Sequence, residues 1–256
     1  ATTPDDIVLS LERLNRIEEV DTSARTLTVE AGVTLEAAQK AAAEADLFFP
    51  VDIGARTSCQ LGGLVSANAG GNKVIRYGMT RDTVLGLEVV LADGTVVSSM
   101  NRYIKNNSGF DLKHLFIGSE GVLGIITRIV FRLRARPRSH NVALLACNGF
   151  DDVIAVLEMA NKRLPDTLSA FEVMWHSFYE LAVRPRGPLA APLEPGKAHY
   201  VLIESMGVDQ EHDTVVFEDL LEQLLEEKYI VDGVLAKSDN ERRSIWEIRD
   251  EVEPVI

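Results

Sequence analysis

The chain has 256 residues, of which 46% are hydrophobic and 25% are charged, so its composition is that of a globular protein rather than a disordered or fibrous one. No apolar run approaches the ~20 residues of a membrane helix, and two cysteines cannot build a disulfide framework, which favours a reducing compartment: the cytoplasm, or the mitochondrial matrix of a eukaryote. Residues 1–137 carry a net charge of −1 and residues 138–256 one of −12, so the acidic second half makes nucleic acid a poor partner.

The first half of the chain is predicted to form short strands and one longer helix. Alternating apolar and polar residues over Thr26–Ala31 predict a half-buried strand. Thr34 is placed to cap a helix over Leu35–Ala45, which is rich in helix-forming residues. Glu88–Val97 contains an Asp-Gly turn between two apolar runs and predicts a hairpin, and a last alternating strand covers Arg128–Arg134.

The second half has a different order of elements. Asp151 or Asp152 is placed to cap its first helix. The predicted elements are a strand (Val142–Cys147), a helix (Val153–Leu164), a strand (Leu168–Trp175), an insert (Arg184–Gly196), a strand (Tyr200–Ser205), a helix (Phe217–Leu225), a strand (Ile230–Ala236) and a helix (Asn240–Val252). This order is that of a ferredoxin-like βαββαβ domain. We therefore expect a boundary near Pro137–Ser139, with domains at residues 1–137 and 138–256.

Ten of the eighteen glycines lie in residues 54–78 and 109–124. Glycine weakens regular elements, so such clustering indicates tight turns or close approach of the backbone to a ligand. The paired glycines within Gly54–Gly71 suggest concave nests of amide groups that could hold a diphosphate or a flavin edge. The alternative is a glycine-rich surface loop, and neither the G-x-G-x-x-G motif that opens a helix nor the phosphate-binding G-x-x-x-x-G-K-[ST] motif is present.

The second glycine-rich stretch runs over Asn107–Ile126. Gly118, Gly121 and Gly124 recur every three residues, so a backbone without intervening side chains could lie against a flat aromatic ligand. The alternative is a strand–turn–strand corner in which Glu120 is satisfied locally.

Several motifs occur in a fixed order along the first half: Pro50–Gly54, Ser58–Gly63, Asn68–Gly71, Tyr77-Gly78, Asp93-Gly94 and Gly118–Ile126. Together they resemble the FAD-binding domain of the vanillyl-alcohol-oxidase (PCMH-type) flavoproteins. Within that superfamily, the whole chain resembles the D-2-hydroxyacid dehydrogenases, which include D-2-hydroxyglutarate dehydrogenase, D-lactate dehydrogenase and the flavin subunit of glycolate oxidase.

The resemblance implies an α+β fold, with a two-lobed PCMH-type FAD-binding domain followed by a ferredoxin-like βαββαβ cap. It implies FAD as the cofactor. The residues implied to line the flavin and diphosphate are Pro50, Ser58, Cys59, Gly62, Gly63, Asn68, Gly70, Gly71 and Tyr77. Those implied to lie beside the adenosine half are Glu120, Gly124 and Ile125. For Cys59 we expect a packing role rather than a redox role.

Arg249 is the candidate substrate-binding residue. Trp246 and Arg249 lie one helical turn apart, and a guanidinium binds a carboxylate through two parallel hydrogen bonds. The alternative is an exposed Arg249–Glu253 ion pair. The matching W-x-x-R of the dehydrogenases implies binding of the substrate carboxylate. D-2-hydroxyglutarate members of the family have a threonine where this chain has Glu253, which argues against a dicarboxylate substrate.

The chain departs from the family at both ends. The relatives implied by the resemblance have a G-G-N-T-G pyrophosphate loop before a segment like Asp6–Leu14, and a later G-H-x-G-D-G-N-x-H region that supplies a divalent, zinc-like metal site and the catalytic base. We therefore expect this chain to be an internal portion of a longer protein, with its catalytic base beyond Ile256. Its five histidines show no metal-ligand spacing, so no metal ligand is assigned within it.

The expected activity is oxidation of a D-2-hydroxyacid to the 2-oxoacid, with hydride transfer to flavin and electrons passed to a protein or quinone acceptor rather than NAD. A homodimer is compatible with the resemblance. Two alternatives remain open from the sequence: a carbohydrate or alcohol oxidase of the same fold, and a non-catalytic flavin-binding subunit of a multi-subunit oxidase.

Overall fold

The computed structural model describes residues 7–184 and 191–250. The chain divides into two compact units, each of which combines helices with antiparallel strands in an α+β arrangement. The described residues up to Gly71, together with Tyr77–Arg136, form the first unit; Asn72–Arg76 and the described residues from Pro137 onward form the second. A five-residue segment of the first half of the sequence therefore belongs to the second unit. Among the described helices, none is both long and apolar enough to cross a membrane.

The first unit is built on an antiparallel sheet. Its strands are β1 (Ile17–Asp21), β2 (Thr26–Glu30), β3 (Leu47–Phe48), β4 (Val84–Val90), β5 (Val96–Ser99), β6 (Ile125–Arg132) and β7 (Arg134–Ala135). Its helices are α1 (Leu35–Glu44), α2 (Leu61–Ser66), α4 (Thr80–Thr83) and α5 (Lys113–Phe116), whereas α3 (Val74–Tyr77) lies in the second unit except for its last residue. Five strands form one sheet in the order β1-β2-β6-β4-β5, and β3 pairs with β7.

The helix and the hairpin predicted for this unit are confirmed. Thr34 caps α1, with its hydroxyl oxygen accepting a hydrogen bond of 3.3 Å from the Ala37 amide. Strands β4 and β5 pair antiparallel on either side of the Asp-Gly turn, where Gly94 has a φ of 84°. The Asp93 carboxylate accepts a hydrogen bond of 2.9 Å from the Thr95 amide, which fixes the turn.

The predicted half-burial of the strand over residues 26–31 is wrong. Every residue of β2 is buried, including Thr26, Thr28 and Glu30 on its polar face. Glu30 is tolerated there because the Arg16 side chain donates hydrogen bonds of 3.1 and 2.7 Å to its carboxylate. Alternating polarity along a strand shows which side chains are polar, but it does not predict whether other parts of the protein bury the polar face.

Besides α3, the second unit contains four strands and four helices in the part of it that the structure describes. The strands are β8 (Ser139–Cys147), β9 (Leu168–Trp175), β10 (His199–Gly207) and β11 (Asp232–Leu235). The helices are α6 (Phe150–Arg163), α7 (His176–Val183), α8 (Gln210–Glu226) and α9 (Asp239–Asp250). The sheet is antiparallel, in the order β11-β8-β10-β9.

Both faces of the central strands of this sheet are covered by helices. Residues such as Leu145, Val201 and Ile203 pack with α6 and α8 on one face, whereas Leu144 and Leu202 pack with α7 and α9 on the other. All nine residues of β10 are buried. A charged side chain in this strand must therefore find its partners inside the protein.

Several details of the second unit differ from the sequence-based prediction. Helix α7 was not predicted, and α8 begins at Gln210 because Asp209 caps it by accepting from the His212 amide at 3.1 Å. Helix α6 begins at Phe150 with Gly149 as its N-cap, so both candidate caps lie inside its first turn, where Asp152 accepts from the Gly149 amide at 3.0 Å. Residues 185–190 of the predicted insert and the end of the last predicted helix, at Val252, lie outside the described residues.

Candidate functional site

Gly62 and Gly63 lie within helix α2, so the expected concave amide nests at this pair are wrong: both residues have helical backbone. The Gly62 amide donates a hydrogen bond of 2.7 Å to the Ala31 carbonyl, and a Cβ on Gly62 would lie 2.8 Å from Cβ of Ala31. A Cβ on Gly63 would meet nothing within 4 Å. Gly62 therefore allows α2 to pack against the end of β2, while Gly63 leaves exposed backbone beside it.

The end of the first glycine-rich stretch packs against the segment that follows β3. A Cβ on Gly71 would lie 2.1 Å from the Asp52 carbonyl oxygen, so only glycine fits this close backbone approach. Pro50 is buried, and Gly70 is exposed beside Gly71. The backbone at Gly70 therefore has an open side, as a main-chain binding surface requires.

The structure brings the two glycine-rich stretches together. The Gly118 amide donates to the Val65 carbonyl at 3.2 Å, and the Glu120 amide donates to the Ser66 carbonyl at 2.9 Å. Gly118 and Glu120 have φ values of 84° and 53°, in the left-handed region. The corner that turns the chain at residues 118–121 is thereby held against the C-terminal part of α2.

Arg81 ties the same two stretches together from a third segment. Its amide donates to the Asn68 side-chain oxygen at 3.0 Å, and its guanidinium Nη2 donates to the Ile117 carbonyl at 3.1 Å. Asn68 itself has a φ of 46°. Neither Arg81 nor this role for Asn68 was expected from the sequence, because only the folded chain brings Asn68, Arg81 and Ile117 together.

A largely apolar groove of about 650 Å³ follows the corner. It is lined by residues of three segments: Leu9–Leu11, Arg13, Leu14, Val90–Ala92, Gly121–Ile125 and Thr127. A Cβ on Gly124 would lie 2.6 Å from Cγ1 of Val89, so the backbone here also lies against its neighbour without side-chain bulk. The volume lies within the range of small-molecule sites, and both Gly124 and Ile125 line it.

The remaining predicted cofactor residues lie around these stretches. Ser58 is exposed, with its hydroxyl donating weakly to the Ala55 carbonyl at 3.4 Å. Burial raises the pKa of the half-buried Cys59 thiol, so its reactive thiolate is disfavoured. The Tyr77 ring packs against Phe48 with 5.6 Å between ring centroids. The side chain of Glu120 is exposed at the corner.

In the second unit, the candidate substrate residue Arg249 is paired with a carboxylate. Its Nε donates a hydrogen bond of 2.8 Å to Oε2 of Glu172 on β9, and its Nη1 lies 3.5 Å from the Asp250 carboxylate. The side chain of Arg249 is 33% exposed. The alternative partner weighed from the sequence, Glu253, lies outside the described residues.

A buried glutamate that the sequence analysis missed lies on the same face of the sheet. The Glu204 side chain is 1% exposed, and its Oε1 accepts from Lys73 Nζ at 2.8 Å and Ser169 Oγ at 2.6 Å. Its Oε2 lies 2.8 Å from Nε2 of His140 and accepts from Trp246 Nε1 at 3.0 Å. The available signal was a lone acid in the apolar run of residues 200–206.

The charge state of Glu204 follows from these contacts. Burial by itself would raise the pKa of this carboxyl, but the hydrogen bond from His140 and the positive charge of Lys73 outweigh it and hold the pKa at about 2. Because an ionised carboxylate only accepts hydrogen bonds, His140 must carry its proton on Nε2.

Within residues 7–184 and 191–250, no three His, Cys, Asp or Glu side chains converge as metal ligands.

Two family models match the chain, and the second match begins near the point where the main segment of the second unit begins. Residues 1–99 match the family model described as "FAD binding domain". Residues 136–255 match the one described as "FAD linked oxidases, C-terminal domain".

Among curated proteins, the chain is 40% identical to a putative mitochondrial D-lactate dehydrogenase of Schizosaccharomyces pombe, over 96% of this chain and 47% of that protein. It is also 40% identical to a mitochondrial D-2-hydroxyglutarate dehydrogenase of Bos taurus, over 97% of this chain and 45% of that protein. The chain thus spans about half the length of the curated relatives it matches. An alkyldihydroxyacetonephosphate synthase structure shares the fold, with a TM-score of 0.70 at 18% identity, over 95% of this chain and 45% of that one.

Proposed function

We propose that the chain is part of a D-2-hydroxyacid dehydrogenase. The premise is that it belongs to the FAD-dependent oxidoreductases in which an FAD-binding domain is followed by an FAD-linked oxidase C-terminal domain. The observation that carries this proposal is the 40% identity over nearly the whole chain to a D-lactate and a D-2-hydroxyglutarate dehydrogenase. The substrate class is a D-2-hydroxyacid, and the product is the corresponding 2-oxoacid.

The first unit would hold FAD mainly by its backbone. The residues present fit a long, flat nucleotide, because Gly63, Gly70 and Gly118 are exposed and present main chain without a side chain. The other predicted lining residues, Pro50, Ser58, Cys59, Asn68, Gly71 and Tyr77, come from the same segments. Gly62 would act indirectly, since its amide is already bonded and it serves to pack α2.

The groove beside Gly124 and Ile125 would take the adenosine half of the cofactor. Its apolar lining suits a purine ring, and its volume of about 650 Å³ is sufficient for a nucleoside. Glu120 stands at the corner where this groove meets the glycine-rich stretches. The backbone of residues 120–125 would thus follow the ligand along one side.

Arg249 would bind the carboxylate of the substrate and so orient its Cα–H bond. Bound FAD would supply the hydride-acceptor chemistry, and a base that we place outside this chain would take the hydroxyl proton. Glu172 would hold the guanidinium by its Nε edge, leaving Nη2 and Nη1, the latter at 3.5 Å from the Asp250 carboxylate, for the substrate. Because Glu172 already lies beside the arginine, a second carboxylate on the substrate would be repelled there, which favours monocarboxylic substrates.

Further parts of the proposal concern the whole protein. We propose that electrons pass to a protein or quinone acceptor, that a divalent metal belongs to the full-length protein, and that the protein works in the mitochondrial matrix or the cytoplasm. We also propose a two-lobed PCMH-type domain over residues 1–137 and a ferredoxin-like cap over residues 138–256. The sequence β8-α6-β9, then β10-α8-β11, with strand order β11-β8-β10-β9, supports that cap.

The test is an Arg249→Met variant of the full-length protein, assayed with D- and L-2-hydroxyacids and a dye acceptor. Losing a charge-assisted pair to the substrate carboxylate should lower kcat/KM about 10²-fold or more. Arg243→Met is the matched control, since Arg243 is an exposed arginine on the same helix, and it should change kcat/KM by less than about twofold. Equal effects of the two variants would rule out the role given to Arg249.

A further inference from the structure

The buried Glu204 connects five separate segments of the second unit. It lies on β10 and receives hydrogen bonds from β8 through His140, from β9 through Ser169 and from α9 through Trp246. The fifth segment is Asn72–Arg76, whose Lys73 is itself buried, with its side chain 8% exposed. A carboxylate offers about four acceptor positions, and four donors occupy them here.

Burying charged groups in such a network costs desolvation free energy, so it is an inefficient means of stabilising a strand. Replacing a buried ion pair by apolar side chains of similar size is often neutral or stabilising, so the ion pair is weak evidence for a contribution to stability. The neighbours of Glu204 on the same face of the sheet, such as Leu202 and Leu144, show that this side of the core accepts leucine. What the carboxylate adds is direction, because each donor must point at one of two oxygens.

The donor from α9 is the one that bears on the proposed site. Trp246 Nε1 is fixed at 3.0 Å from Oε2 of Glu204, and its ring lies 5.2 Å from the ammonium of Lys73. Arg249 follows one turn later and is held by Glu172 on β9. The carboxylate of Glu204 on β10 therefore holds Trp246, and the carboxylate of Glu172 on the adjacent strand β9 holds Arg249.

We propose that Glu204 is a positioning residue, which holds helix α9 through Trp246 and thereby places the guanidinium of Arg249 for the substrate carboxylate. This inference rests on the proposed function. The bond from Trp246 fixes the rotation of α9 about its axis at a point one turn from Arg249. Since bidentate binding of a carboxylate depends on the plane of the guanidinium, a small rotation of the helix weakens substrate binding while the reacting groups themselves stay unchanged.

The test compares two variants of the full-length holoenzyme that each remove one donor to Glu204. Trp246→Phe removes the Nε1–H donor but keeps an aromatic ring, and it acts on α9. Ser169→Ala removes the hydroxyl donor to Oε1 from β9 and does not touch α9. We expect Trp246→Phe to raise KM for the D-2-hydroxyacid about tenfold with kcat changed less than about twofold, and Ser169→Ala to leave both within about twofold.

A second measurement does not depend on turnover. Hydrogen–deuterium exchange of peptides covering residues 239–250 should be faster in Trp246→Phe than in the wild type, and unchanged in Ser169→Ala. If the wild type oxidises no D-2-hydroxyacid, the proposed function fails, and the exchange comparison still decides whether Glu204 holds α9. The same KM in Trp246→Phe and Ser169→Ala would overturn the inference, and so would equal exchange of α9 in the two variants.

Discussion

The two units offer different parts of the polypeptide to a ligand. In the first, the candidate surface is backbone: glycines at 63, 70 and 118 leave main chain open, and neighbouring segments are joined by amide–carbonyl bonds. In the second, the candidate surface is the guanidinium of Arg249 with its partner Glu172, whereas Lys73 and Glu204 form a buried ion pair. Adding a Cβ atom to a glycine is therefore the change that should most affect ligand binding and packing in the first unit. In the second unit, that change is the removal of a charged group.

Two buried glutamates show the same contrast. Glu30, in the first unit, is paired with Arg16, whose side chain is 74% exposed, and this side-chain hydrogen bond lowers the pKa of Glu30. Glu204, in the second unit, is paired with Lys73, whose side chain is 8% exposed. Removing Glu30 returns its partner to water, whereas removing Glu204 leaves a lysine charge in the core.

The largest effect should come from Glu204→Gln. Because the variant leaves Lys73 buried without its counter-ion, and sets an amide group against two donors, we expect a loss of about 3–5 kcal/mol in the free energy of unfolding. Glu30→Gln is the comparison and should cost clearly less, since Arg16 can turn to solvent. Urea unfolding of both variants measures this, and equal losses would contradict the contrast drawn between the units.

The second-largest effect should be the loss of folding stability at low pH that arises from Glu204. The folded-state pKa of Glu204, about 2, lies below the ordinary value of about 4.3, so its contribution is complete above about pH 5 and is lost as the pH falls toward 2. The free energy of unfolding of the wild type should therefore approach that of Glu204→Gln by up to about 3 kcal/mol over this range. Urea unfolding between these pH values measures it; a difference that stays constant would mean that Glu204 is not ionised in the fold.

A smaller effect should separate two adjacent glycines of α2. Gly62→Ala places a Cβ 2.8 Å from Cβ of Ala31, and such overpacking should cost about 1–3 kcal/mol. Gly63→Ala meets nothing, so the added helix propensity should leave stability unchanged or raise it by up to about 1 kcal/mol. Thermal unfolding distinguishes the two variants.

The same two variants test whether Gly63 belongs to the proposed cofactor surface. If the backbone at Gly63 lies against FAD, Gly63→Ala should weaken FAD binding although the protein is no less stable, because the new methyl group occupies the open side of α2. Equilibrium dialysis of FAD against the two variants measures this. Unchanged affinity in Gly63→Ala would remove Gly63 from the cofactor surface.

The smallest effect concerns the two cysteines, one in each unit. Burial raises the pKa of Cys147 to about 12, so at pH 8 only about one molecule in 10⁴ carries its thiolate. Cys59 is half-buried and should be alkylated first, with Cys147 reacting only on unfolding. FAD should slow the labelling of Cys59, as mass spectrometry of the alkylated peptides would show, and labelling at the same rate with FAD present would place Cys59 away from the cofactor.

Local sequence signals located much of this structure, and their failures have a physical cause. The capped helix α1 and the Asp-Gly hairpin depend on neighbours in the sequence, so they were predictable. The network of Glu204 was not, because Lys73 lies 131 residues away along the chain and only the folded sheet brings the two together. Gly62 and Gly63 look alike in the sequence, and only the position of Ala31 separates their roles.

The most direct test of the account is anaerobic addition of D- and L-2-hydroxyacids to the full-length, FAD-loaded protein while the visible absorbance of the oxidised flavin is recorded. We expect that at least one D-acid bleaches this absorbance, that its L-enantiomer does not, and that Arg249→Met requires far higher concentrations of the acid. A flavin that dithionite bleaches but that no D-2-hydroxyacid bleaches would contradict it.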